Sequence, residues 1–448
     1  MKAAVMYGPN DIRYEDVPYP KLPKGGFILK VEAVGLCGSD IRNLTSDSRK
    51  GKYPHIYGHE VVGTIVEVDE GVDSLKVGDR YYVYPVAHCL KCEYCRSGHH
   101  EHCTNVNNYA DEQGGFADYI AYPKERVERG AMFKIDDGID PINATLAEPL
   151  SSTYACVENI NVTLGDTVVI LGAGPIGVFL SVLSKLRGAK KVILIDLLDA
   201  RLKKASEFGL DYVINSSEED AVEKVMEITG GRGADKVISA NPSTESQVEA
   251  LHMAKKGGIV VFFGGVPKGK LTEIDTNLIH YNGLWIYGHY GANSMQVQKS
   301  FELSIDPVFP AKKIITHVMP LSKINEAINL TKTGEAMKVV LLPNEEWAMK
   351  DAVNILIACG SGIATSTVAQ EKVKEILDKN SIPYKINKGT VNQIPDLHDS
   401  VDLVLTTTKY RSEISTPILF VFGLISGINE KKIEEDIVTT CKKILKDG

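Results

Sequence analysis

Val168-Val169-Ile170-Leu171-Gly172-Ala173-Gly174-Pro175-Ile176-Gly177 decides how this chain is read. An apolar strand runs into a glycine-rich turn, a helix follows over Pro175 to Leu186, and a second strand covers Lys191 to Ile195. That succession is a βαβ unit. Within it Gly172 permits the tight turn, Gly174 removes the side chain that would block a pyrophosphate, and Gly177 lets helix and strand approach. Pro175 and Ile176 open the helix, whose positive end faces the phosphates. Asp196 ends the next strand, where a carboxylate accepts hydrogen bonds from the adenosine ribose and repels a 2′-phosphate, so NAD is favoured over NADP. Arg201 either covers the adenine or is a solvated helix residue.

The alternation continues through Leu202–Phe208, Tyr212–Ile214, Ala221–Thr229, Lys236–Ser239, Gln247–Ala254 and Ile259–Phe263. A doubly wound parallel sheet over 151–290 is the economical fold. Residues 1–150 carry short β-rich runs instead (Gly26–Val34, Val61–Val68, Arg80–Val86), punctuated by Gly, Pro and Asp. Past Leu342 a polar joint begins at Pro343, a linker is expected over 344–351, and a second, smaller parallel-sheet α/β unit over 352–448. The 448 residues carry 50 Lys and Arg against 58 Asp and Glu, with no basic run, which argues against a nucleic-acid partner. The N-terminal apolar stretch is too short for a secretory signal, and the longest apolar run, Val168–Leu183, is broken by three glycines and a proline. A cytoplasmic location is expected.

Cys89, Cys92, Cys95 and Cys103 place four thiols in fifteen residues. Their spacing suits a structural Zn2+ held tetrahedrally at about 2.3 Å from each sulfur. The other cysteines, Cys37, Cys156, Cys359 and Cys441, are scattered, which speaks against a disulfide framework. His99, His100 and His102 lie in the same loop, so a site of three thiolates and one imidazole is the alternative. Two further fragments, Gly35-Leu36-Cys37-Gly38-Ser39-Asp40 and Gly58-His59-Glu60, supply a thiolate, an imidazole and carboxylates. Such a mixed shell leaves a metal position open for a substrate oxygen.

In this order, and with Gly114-Gly115-Phe116-Ala117-Asp118-Tyr119 and Ala147-Glu148-Pro149-Leu150, residues 1–343 resemble the zinc-dependent medium-chain alcohol and polyol dehydrogenases. The resemblance implies a β-rich catalytic domain, 1–150, completed by 291–343, beside the Rossmann domain. It implies a catalytic Zn2+ on Cys37 and His59, with Glu60 and Glu148 binding it directly or through water. It also implies hydride transfer to NAD, a proton relay beginning at Ser39, and a homo-oligomer. Many relatives finish that relay with a histidine three residues after the serine; this chain has Arg42 there. Ile286–Ser294 fall where the family lines its cleft, and their polar groups suit a polyhydroxylated substrate. His289 and Tyr290 either touch that substrate or are ordinary cleft wall.

Downstream, Ile355-Leu356-Ile357-Ala358-Cys359-Gly360-Ser361-Gly362-Ile363-Ala364-Thr365 is a strand, a small-residue turn and the start of a helix. A thiol at such a turn is a candidate nucleophile, because backbone N–H groups and the helix end stabilise thiolate and phosphate alike. A tyrosine-phosphatase loop would need an arginine where Thr365 stands. The fragment, with Asp402-Leu403-Val404 and Thr406-Thr407-Thr408-Lys409, resembles the enzyme IIB component of the galactitol-type sugar phosphotransferase system. That resemblance implies phosphotransfer through Cys359 from a phosphorylated IIA partner to a sugar on a membrane IIC partner, which would bring the chain to the inner face of the membrane. Joined, the two resemblances imply oxidation of a polyol phosphate, galactitol 1-phosphate to tagatose 6-phosphate or an arabitol phosphate. The alternative is a sorbitol-like or threonine-like dehydrogenase acting on an unphosphorylated substrate, with a C-terminal unit that docks or senses.

Overall fold

A computed structural model describes residues 1–46, 50–108, 113–136, 138–343, 352–360, 363–380, 382–410 and 414–447. The linker expected over 344–351 lies outside them. The chain divides into two compact units, Met1–Pro343 and Asn344–Gly448.

The first unit begins with an antiparallel hairpin, Lys2–Gly8 against Asp11–Asp16. Its larger β-structure is a seven-stranded sheet built around Phe27–Leu36. That strand is an almost unbroken apolar run, as a strand covered on both faces should be, and Phe27, Ile28, Leu29, Val31, Ala33 and Val34 are all buried. Its neighbours are Glu60–Val68 on one edge and, on the other, Tyr119–Tyr122 and Lys338–Leu342. The register against Glu60–Val68 slips between Val31 and Ala33. Glu32 is the extra residue of that bulge, and its carboxylate meets the Arg80 guanidinium at 2.8 Å and the Thr64 hydroxyl.

Gly35 stands opposite Glu60, where a Cβ would come within 1.7 Å of Glu60 Oε2. The glycine makes room for that carboxylate. The run expected as one strand over Arg80–Val86 is two. Arg80–Val83 stays in the sheet, and Val86–Ala87 pairs instead with Asn107–Asn108. Pro85 lies between them and has no ladder donor.

The second sheet of this unit has six strands, all parallel, in the order Tyr212–Asn215, Lys191–Asp196, Thr167–Leu171, Ala234–Ser239, Ala254–Phe262, Trp285–Gly288. The strand order reverses beside Thr167–Leu171, which puts the glycine turn at the crevice where such sheets bind dinucleotides. Gly172 has φ +111°, a conformation that only glycine adopts readily. At Gly177 a Cβ would stand 1.7 Å from the Gly172 carbonyl oxygen, so helix Pro175–Leu186 seats against the turn only because that atom is missing.

The second unit is a four-stranded parallel sheet in the order Tyr384–Thr390, Val353–Cys359, Leu403–Thr406, Ile418–Phe420, with helices Ile363–Lys379 and Glu430–Asp447. Its core joins Val353, Ile355 and Ile357 to Val373, Leu377 and Ile437. Cys359 ends the central strand at the carboxyl edge of the sheet, beside the reversal of strand order. No helix among the described residues is long and apolar enough to cross a membrane.

Candidate active site

Strand Phe27–Leu36 delivers Cys37 to the N-terminus of helix Gly38–Thr45. Three residues on, the fully buried Asp40 accepts a hydrogen bond from the Cys37 N–H through Oδ2 (3.1 Å) and holds His59 Nδ1 at 3.0 Å through Oδ1. A ring nitrogen facing a carboxylate carries a proton, so Nε2 is the atom turned toward the site, where a metal would take the place of its proton. Nε2 lies 3.8 Å from Glu148 Oε1, on the first turn of helix Ala147–Asn159. Glu60, fully buried, is paired with the Lys338 ammonium at 2.6 Å through Oε1 and 2.5 Å through Oε2. Its Oε2 nonetheless makes no hydrogen bond of proper angle. Lys338 also donates to the Leu36 carbonyl at 3.2 Å.

One donor atom from each of Cys37, His59, Glu60 and Glu148 lies within 4.8 Å of the other three. Ligand atoms around a tetrahedral zinc stand about 3.3–3.8 Å apart, so small side-chain adjustments suffice to close on an ion. The electrostatics agree. Burial pushes the Glu148 acid up to about 7, with His59 opposing and Glu60 adding to the rise. Burial also disfavours a charged His59, but Asp40 and Glu148 together outweigh it and hold its basicity well above the ordinary range. A thiol, an imidazole and two carboxylates thus share one buried spot with one ammonium, an arrangement that a divalent cation relieves. The donor set fits zinc. The sequence marks Asp40 only as a carboxylate of the Cys37 fragment, not as the partner of His59, and does not single out Lys338. Asp40 had a local signal, its capping position three residues after Cys37, whereas Lys338 had none.

The four thiols of Cys89, Cys92, Cys95 and Cys103 also lie within 4.8 Å of one another, and none is in a disulfide. Cys89 Sγ accepts from the N–H groups of Lys91 and Cys92 at 3.4 Å each, and Cys103 Sγ from Cys89 N–H at 3.3 Å. Backbone hydrogen bonds from Cys95 and Thr104 lower the Cys92 thiol to about 6. These are thiolate-stabilising contacts, and a tetrathiolate zinc fits them. His100 is engaged elsewhere, its Nδ1 accepting from Ser294 N–H at 3.1 Å.

Beside the glycine turn, Asp196 closes the end of strand Lys191–Asp196. Its Oδ2 accepts from Ala173 N–H at 2.7 Å and its Oδ1 from Leu198 N–H at 3.0 Å, so the carboxylate also fastens the glycine turn. Arg201 stands 3.8 Å from Asp196 Oδ2 and lies against Gly334.

A cleft of about 430 Å³ opens over His59 and Glu148, with Ser39, Tyr84, His289 and Tyr290 on its walls. His289 is buried, bonded to Ser152 Oγ at 3.2 Å and stacked on Phe263 at 5.0 Å; burial pushes its basicity down to about 4. Tyr290 is exposed at the rim, and Arg42 is exposed on the helix that carries Ser39. A roomier groove of about 590 Å³ runs beside the N-terminal hairpin, but neither metal cluster borders it.

In the second unit Cys359 is buried, and Gly360 approaches the Thr408 hydroxyl so closely that a Cβ would stand 2.8 Å from it. Thr406 Oγ1 accepts from Thr408 N–H at 3.1 Å, which shapes that neighbouring loop. Ser361 and Gly362, part of the expected anion cradle, lie outside the described residues.

Residues 23–130 match the alcohol dehydrogenase GroES-like domain, 175–306 the zinc-binding dehydrogenase domain, and 354–436 the lactose/cellobiose-specific IIB subunit of the phosphotransferase system. The chain is 32% identical to a sorbitol dehydrogenase of Bacillus subtilis (77% of this chain, 98% of that one). It is 35% identical to an L-threonine 3-dehydrogenase of Pyrococcus horikoshii (73% and 94%). A zinc-binding dehydrogenase from Sinorhizobium meliloti, solved bound to NADP, superimposes with a TM-score of 0.70 at 27% identity, covering 76% of this chain and 99% of that one.

Asp40→Asn keeps the size of the side chain but weakens its hold on His59. Metal affinity at the mixed site is expected to fall about 10- to 100-fold in a chelator competition. Unchanged affinity would mean that Asp40 does not set the imidazole.

Proposed function

The chain belongs to the zinc-binding medium-chain dehydrogenases and carries a IIB unit of the phosphotransferase system; on that premise we propose that its first unit oxidises a secondary hydroxyl of a polyol with NAD while its second carries phosphate on Cys359. Zinc, when bound, acts as a Lewis acid that makes the hydroxyl more acidic, and NAD takes up the hydride. The supporting observation is the mixed donor set of Cys37, His59, Glu60 and Glu148, of which His59 and Glu148 line the cleft. In this reading Cys37, His59 and Glu148 hold the catalytic ion, Glu60 is the reserve carboxylate paired with Lys338, and Cys89, Cys92, Cys95 and Cys103 hold the structural one. Ser39 Oγ passes the hydroxyl proton to water, since the Arg42 guanidinium offers no basic lone pair. The turn Gly172–Gly177 takes the pyrophosphate on the N–H groups of Ile176 and Gly177, and Asp196 selects against a 2′-phosphate, with Arg201 beside it.

Fusion to a phosphocarrier supports a phosphorylated substrate, galactitol 1-phosphate yielding tagatose 6-phosphate, with an arabitol phosphate in the same class. The phosphoryl group would move from a phosphorylated IIA protein to Cys359 Sγ and on to a sugar held by a membrane IIC protein, a cytoplasmic role at the membrane face. The cleft favours a second reading. Among the described residues that line it there is no lysine or arginine, while Glu101 and Glu148 are present, which suits a free polyol or threonine and a C-terminal unit that docks or senses. The outer strand Trp285–Gly288 has one neighbour and an exposed Trp285, which supports pairing with a second copy of the chain.

NADH absorbance with galactitol 1-phosphate, galactitol and threonine separates the two substrate readings. The first expects the phosphate ester to lead by tenfold or more, roughly the value of one charge-assisted hydrogen bond; equal rates with free galactitol would leave the second. For the phosphocarrier, Cys359→Ser is expected to abolish labelling by phosphorylated IIA and to leave the dehydrogenase rate intact. A wild-type chain that takes up no label would support docking.

A further inference from the structure

The four-cysteine lobe does more than bear on stability, because it carries a carboxylate into the substrate cleft. Glu101 lies on the single 3-10 turn His100–His102, between Cys95 and Cys103. That turn is fixed from several sides. Cys103 N–H bonds to the His100 carbonyl at 2.9 Å, and His100 Nδ1 accepts from Ser294 N–H at 3.1 Å. Gly291, at φ +68°, comes so close that a Cβ on it would stand 3.0 Å from Glu101 Cβ.

The Glu101 side chain is 15% exposed and lines the same cavity as His59 and Glu148. Its Oε1 is held at 3.2 Å by His99 Nδ1, while Oε2 has no partner among the described residues. A carboxylate is acceptor only, so the unused oxygen calls for a donor, and hydroxyl groups are the donors that a sugar alcohol brings in quantity. Resting on the dehydrogenase reading above, we infer that Glu101 accepts a hydrogen bond from a substrate hydroxyl remote from the oxidised carbon, and that it thereby sets a preference for polyols over simple alcohols. An analogue without that hydroxyl leaves water on the carboxylate and gains nothing from it.

The full-length, zinc-loaded chain is assayed by NADH absorbance with two probes. Galactitol, or its 1-phosphate if that is the better substrate, has distal hydroxyls, and 2,3-butanediol has a vicinal pair and nothing beyond. Glu101→Leu is expected to lower kcat/KM for the polyol about tenfold to a hundredfold, mainly through KM, and to leave butanediol and the melting temperature unchanged. Glu101→Gln, which retains one acceptor oxygen, is expected to lose less. A polyol rate untouched by Glu101→Leu, or an equal fall on both probes, overturns the inference. Failure of the unsubstituted chain to oxidise any alcohol would instead defeat the dehydrogenase reading, and this inference with it.

Discussion

The grip of Asp40 on His59, with Lys338 on Glu60, determines what the buried centre of the first unit can be. Four donor groups converge there, and burial of several ionisable groups in one place is tolerated only when charges are answered by partners. Lys338 answers Glu60. Asp40 fixes the tautomer and direction of His59. Glu148 has only the looser contact with His59 Nε2 at 3.8 Å among the described residues, and burial pushes its acid up to about 7 against that opposition. A divalent cation would add positive charge where these carboxylates and the Cys37 thiol converge.

The scaffold is arranged around those two contacts. Strand Phe27–Leu36 must end at Leu36 so that Cys37 can cap a helix, and Gly35 must lack a side chain so that Glu60 can lie beneath it. The cation that balances Glu60 arrives from the far end of the unit. Lys338 opens the strand Lys338–Leu342, which returns after the Rossmann sheet to pair Val339 with Leu36. The dinucleotide sheet thus sits as an insertion between the two parts of the sheet that make the metal centre.

Much of this was legible in the residues. The glycine turn, its helix Pro175–Leu186 and the alternating strands after it follow local periodicity, which tertiary contacts reinforce. The tetrathiolate cluster is set by spacing within one loop, so it too could be read directly. What escaped was held by distance. Nothing near Lys338 marks it as a partner of Glu60, and Glu101 looks like one more charged residue of an exposed turn until Gly291 closes over it. The N-terminal hairpin, Lys2–Gly8 with Asp11–Asp16, read only as a short apolar stretch because its pairing rather than its length gives it meaning. Pro85 could have divided Arg80–Val86 on chemistry alone, for it cannot donate to a ladder.

The two units bring together different settings of sulfur: converging thiols that fit a metal in one, and a buried thiol at the end of an inner strand in the other. The account as a whole turns on two zinc environments in the first unit, one of four sulfurs and one of a single sulfur with lighter donors. X-ray absorption at the zinc edge of the fully loaded chain measures this directly. The account predicts two ions per chain and a mean shell of about two and a half sulfurs per zinc, with the remainder nitrogen and oxygen. A single ion in an all-sulfur shell, in enzyme that still turns over, would contradict it.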